Sequence, residues 1–101
     1  MRMLLFFDLP STTKTDVREY TKFVKLLKKN GFAMMQESVY FKLAITPSVV
    51  EATMGVLRKN VPKDGTISIL TITEKQFSTI DQILGEISTD LLMDDRKIVK
   101  L

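Results

Sequence analysis

The chain has 101 residues, 45% of them hydrophobic and 27% charged, with a formal net charge of +3. That is the size and balance of one folded domain with a thin core that a second copy would help to complete. It has no cysteine and no histidine. This excludes disulfides, thiolate chemistry, histidine-based acid–base catalysis and the usual zinc sites, and it fits a reducing cytosol. No apolar run approaches the roughly 20 residues of a membrane span, and the start lacks the length and cleavage site of a signal peptide, so no membrane role is expected.

The chain opens on an apolar run, Met1-Arg2-Met3-Leu4-Leu5-Phe6-Phe7, that ends on Asp8-Leu9-Pro10. This predicts a buried strand whose ladder Pro10 stops. Thr13 with Asp16 forms a capping-box pattern, and Asn30-Gly31 a C-terminal cap, so a helix is predicted from Lys14 to Lys29. Phe32 to Gln36 and Val39 to Ile45 then read as a hairpin around Glu37-Ser38. Thr46-Pro47 starts a second helix that brings Val50, Met54, Leu57 and Val61 to one face and ends at Asn60-Val61-Pro62. Lys63-Asp64-Gly65 is a turn, and the alternation from Thr66 to Thr73 a strand with one buried face.

This order is that of an α+β, ferredoxin-like βαββαβ domain with both helices on one side of an antiparallel sheet. The other side has no cover of its own. Thr73 and Gln76 make a capping pair for one helical turn. Segment 79–84 reads equally as more helix or as a short strand. Segment 88–95 reads as a loop, and Arg96-Lys97-Ile98-Val99-Lys100-Leu101 as a last strand. A strand added after a complete sheet suits the edge of a neighbouring chain, which makes 79–101 an extension of the single domain.

Two features carry chemistry. On the first helix, Lys14, Arg18, Lys22, Lys25, Lys28 and Lys29 fall within an arc of roughly 120° at 100° per residue. Val17, Tyr20, Phe23, Val24, Leu26 and Leu27 lie opposite, and no acid falls inside the arc. Such a stripe is either a solvated face or the footprint of a phosphate-backbone partner. Arg58, Lys59 and Lys63 form a smaller group, better read as cations at a helix C-terminus. The second feature is Asp8. It is either a turn residue bonding to backbone near Pro10 to Thr12 or a ligand for a hard cation such as Mg2+. A metal site needs more than one acid, and two-fold symmetry would supply a second Asp8. Ser38 has no base at a useful spacing and reads as a turn residue. The aromatics lack the pattern of an RNA-recognition motif.

Three stretches together resemble the CRISPR-associated protein 2 family: Leu5-Phe6-Phe7-Asp8-Leu9-Pro10, Arg18-Glu19-Tyr20 with Phe23, and Gly31-Phe32 through Gln36-Glu37-Ser38-Val39-Tyr40. The stretch from Leu70 to Phe77 is similar to the branch found beside type II CRISPR effectors. The resemblance implies a prokaryotic, ferredoxin-like homodimer whose sheets face each other and whose C-terminal strands extend the partner's sheet, which makes 79–84 a strand. It implies partnership with the CRISPR integrase, with double-stranded DNA held for spacer acquisition, and with other type II CRISPR proteins. It also implies a magnesium-dependent endonuclease activity on RNA or DNA in several members, with Asp8 at the metal-ligand position. Where many members carry arginine, this chain has Lys22, Lys25 and Lys42. Lysine meets phosphate as a point charge, which fits non-specific duplex holding.

Overall fold

The computed structural model describes residues 1–85. Strand β1 (Arg2–Asp8) leads into helix α1 (Lys14–Lys29), the hairpin β2 (Ala33–Gln36) and β3 (Val39–Leu43), helix α2 (Pro47–Lys59), β4 (Thr66–Ile72) and the one-turn helix α3 (Glu74–Phe77). The sheet order is β2-β3-β1-β4, all antiparallel, which is the ferredoxin-like arrangement. β1 is central, with Leu5 opposite Tyr40 on one side and Ile69 on the other.

Local chemistry accounts for these boundaries. The Thr13 hydroxyl accepts from the Asp16 amide at 3.0 Å, and the Asp16 carboxylate accepts from the Thr13 amide at 3.2 Å, closing the capping box of α1. At the other end the Gly31 and Phe32 amides donate back to the Lys28 and Leu27 carbonyls, with Gly31 at φ 90°. That pattern needs a left-handed residue, which glycine supplies without strain. The hairpin turns through Ser38 at φ 66°, a conformation that costs a non-glycine residue about 1–2 kcal/mol.

The core lies between the sheet and the two long helices. Met3, Leu5 and Phe7 of β1 meet Phe23 and Leu27 of α1, Tyr40 of β3 and Leu57 of α2. Phe7 is its aromatic centre. It meets Tyr20 and Phe23 edge-on at 5.6 and 5.5 Å, and Tyr40 in a near-parallel stack at 6.0 Å.

Two expectations need correction. Segment 79–84 is neither helix nor strand. The Ser78 and Thr79 hydroxyls donate to the Lys75 and Gln76 carbonyls, ending α3 after one turn. Beyond it Ile83 and Leu84 stand exposed, and no strand among the described residues pairs with the segment. Val17, at the flank of the α1 arc, is half exposed and not packed on the sheet. The strand expected over the last six residues lies outside the described residues.

Candidate nucleic-acid interface and metal position

The alternation along β1 sends Arg2, Leu4, Phe6 and Asp8 to the face of the sheet opposite α1 and α2. This open face is covered at one end only. There α3 folds over it, and Phe77 packs on Phe41 at 5.6 Å beside Leu4 and Ile72. Arg2 is buried beneath α3, with its guanidinium 4.4 Å from the Phe77 ring centre and 5.4 Å from that of Phe41. Its Nε donates to Glu74 Oε2 at 2.7 Å, and the N-terminal amine lies 3.9 Å from the same oxygen. Cation–π contact with two rings and a charge-assisted hydrogen bond make a burial tolerable that would otherwise be costly. Arg2 was not singled out as a site in the sequence because it lies within the apolar run. The signal was a cation in phase with Leu4 and Phe6, whose acid partner sits in the first turn of α3.

Past this cap no described residue covers the open face. Phe6, Leu43 and Leu70 are 42, 39 and 51% exposed there. Asp8 closes the row opposite Thr66. Its carboxylate is exposed and makes no hydrogen bond or ion pair among the described residues, so the turn-capping role is not the one it plays. Its backbone is fixed instead. A side chain at Gly65, at φ 108°, would come within 2.8 Å of the Asp8 carbonyl and 2.6 Å of Leu9 Cδ2, so the 63–65 turn packs against the strand exit. The neighbouring Phe7 amide donates to the Ser38 carbonyl at 3.1 Å. Among the described residues no three acids gather to hold a metal ion. A hard cation takes six or more oxygens. Asp8 alone does not supply that many.

On the opposite side of the molecule, α1 buries Phe23 and Leu27 and leaves Lys14, Arg18, Lys22, Lys25, Lys28 and Lys29 exposed. None of the six makes an ion pair among the described residues. Asp16 spends its charge on the capping box. The Thr13 amide, foremost, holds its carboxyl below the ordinary aspartate value of 3.8. Lys42 does not join this stripe. Its ammonium is turned in among the helices, donating to the Asn30 carbonyl at 2.7 Å and to Thr53 Oγ1 at 3.0 Å, and so ties the C-terminus of α1 to α2. Tyr40, of the Ser-Val-Tyr stretch, is also a core residue, and burial, then nearby Tyr20, raises its phenol above the ordinary value of 10.0.

With this geometry, comparison with known proteins is decisive. The family model for CRISPR-associated protein Cas2 matches residues 1–80. The chain belongs to the Cas2 family. It is 40% identical to the CRISPR-associated endoribonuclease Cas2 of Treponema denticola over 101 residues, covering all of both chains. It is 43% identical to the protein of the same name from Streptococcus mutans, covering all of this chain and 93% of that one. The crystal structure of Streptococcus pyogenes Cas2 at pH 6.5 superposes with a TM-score of 0.66 at 20% identity, over 84% of this chain and all of that one. At that identity the match speaks for the fold. Among the described residues no helix is long and apolar enough to cross a membrane.

Proposed function

We propose that this Cas2 protein is a DNA-holding scaffold subunit of a spacer-acquisition complex. Two copies close over their open sheet faces, and the dimer bridges integrase subunits while its α1 stripes hold the backbone of a short duplex. The observation that carries this reading is the row of six exposed cations on α1, none paired with a carboxylate among the described residues. Cations in that state are free to displace condensed counterions from a phosphate backbone. The exposed apolar residues of the open face support the second copy, since burying Phe6, Leu43 and Leu70 recovers hydrophobic free energy that one chain leaves in water.

The test is duplex binding across a salt series, with the neighbouring integrase present and absent. Replacing Lys14, Arg18, Lys22 and Lys25 together by Gln is expected to weaken binding and flatten its salt dependence. Binding unchanged by those four replacements means that the stripe is only solvated.

A second reading, a magnesium-dependent endonuclease, is favoured by the unengaged Asp8 carboxylate and by the name endoribonuclease borne by the relatives. It requires Asp8 from two chains to share the ion. Asp8→Ala distinguishes the readings. The scaffold reading expects duplex binding and spacer acquisition to survive, and the nuclease reading expects RNA or DNA cleavage in magnesium to vanish.

A further inference from the structure

The α1 stripe is not uniform. Lys22, Lys25 and Lys29 line one bank of a groove of about 360 Å³, and Lys59, the last residue of α2, stands on the other. Lys28 does not line it. At 100° per residue Lys28 lies 60–120° around the helix from those three, on the far side of the stripe. The groove floor is apolar where the loop after α2 passes, with Leu26, Val61 and Pro62. Its one acid is Glu19, and none of the four lysines pairs with it or with any other carboxylate among the described residues.

We infer that this groove is a clamp for one phosphodiester backbone of duplex DNA, with Lys59 of α2 completing the site formed by Lys22, Lys25 and Lys29. The inference rests on the DNA-holding reading and adds to it a second bank, from an element outside the stripe. Cations at a helix C-terminus are ordinary, and that accounts for Lys29 and Lys59 taken singly. It does not account for Lys22 and Lys25, which precede the last turn of α1. Four like charges around one groove concentrate positive potential along it, and an anion relieves their repulsion. Lys22 to Lys29 spans about 10 Å of helix. One strand of a duplex carries about three phosphates over that rise, one per 3.4 Å. The groove holds a single backbone, so one strand enters it and the bases are not read. Lysine, a point charge without a fork, suits that sequence-independent hold.

The experiment uses the full chain and a short duplex of arbitrary sequence, with affinity measured over a range of salt. Lys25→Gln and Lys59→Gln are each expected to lower the slope of log affinity against log salt by about 0.9. Lys59→Arg is expected to keep the wild-type slope, and Lys28→Gln, which removes a stripe cation outside the groove, to lower it by less than Lys25→Gln does. Combining Lys25→Gln with Lys59→Gln is expected to cost less than the two separate losses together, because both lysines serve one backbone. A wild-type slope for Lys59→Gln beside a reduced one for Lys25→Gln overturns the clamp and leaves the stripe standing. Equal losses for Lys28→Gln and Lys25→Gln overturn it as well. A wild-type chain that binds no duplex overturns both the clamp and the DNA-holding reading. All these positions are exposed on helices, so melting temperatures are expected to match and to separate binding from folding.

Discussion

β1 writes two different surfaces with alternate residues. Met3, Leu5 and Phe7 face α1 and α2 and are buried, whereas Phe6 and Asp8, on the reverse, are exposed. The covered face is finished within one chain. Its aromatic rings interlock around Phe7, and even its one inward cation, Lys42, is satisfied by a carbonyl and a hydroxyl. Among the described residues the open face is finished only beneath α3, which leaves Phe6, Leu43, Leu70 and the Asp8 carboxylate exposed. The difference separates stability from function. The covered face holds the fold together and sets α1 in place. The open face is built to the same pattern but, among the described residues, has no cover beyond α3.

Neighbouring residues on β1 give the largest test of that contrast. Phe7→Ala is expected to cost about 3–5 kcal/mol in denaturant unfolding, because it empties the centre of the aromatic cluster. A loss near 1 kcal/mol would mean that the covered face is loosely packed and the contrast overstated. The α3 cap is the next test. Glu74→Gln keeps the shape of the side chain but removes its charge beside Arg2, and is expected to cost about 1–3 kcal/mol. The half-exposed Glu74 side chain holds the loss to the lower part of that range. The same variant is expected to free α3, read as faster amide exchange at Phe77. Unchanged exchange would show that ring stacking alone holds the cap.

The fold was legible where one local device decides each boundary. The Thr13–Asp16 box, the Asn30-Gly31 cap and the Thr46-Pro47 start fall where the sequence places them. Asp8 was visible as the acid that ends an apolar strand. Its freedom from any turn bond was not visible, because that depends on how the 63–65 turn packs on the strand. Lys42 was misleading for a related reason. The resemblance put it with the phosphate-facing cations, but its strand position sends it toward the helices, where the Asn30 carbonyl and the Thr53 hydroxyl accept its hydrogen bonds. Lys59 was read as a helix-end cation because nothing local says that the loop after α2 passes beside α1. Segment 79–84 has strand-like residues, but a strand is defined by its partner, and no described strand pairs with it.

α1 itself supplies the next test, because its first turn follows directly on Asp8. Thr13→Ala is expected to cost about 1 kcal/mol by freeing the first-turn amides. The capping carboxylate of Asp16 has its value lowered on folding. Its contribution is therefore complete above the unfolded aspartate value and is lost as pH falls through the lower folded one. Wild type and Asp16→Asn are thus expected to differ in stability at neutral pH and to converge in acid, below pH 3.8. Persistence of the difference in acid would show that the box works through shape and not charge.

The smallest effect on folding gives the sharpest test of the open face. Leu70 lies opposite Leu4 on β4, half exposed, and it points to the same face as Phe6 and Asp8. Thr suits a strand as well as Leu does, so Leu70→Thr is expected to change the stability of a single chain by only about 0.5 kcal/mol. Adding Phe6→Thr removes a second apolar contact from the same surface. If that surface is where a second copy seats, the double variant is expected to weaken self-association by an order of magnitude or more in sedimentation while its far-ultraviolet spectrum stays native. Duplex binding per chain through α1 is then expected to persist, and binding that needs two stripes at once is expected to fall. If self-association is unmoved, the open face is an exposed surface of a different use, and the dimer closes elsewhere.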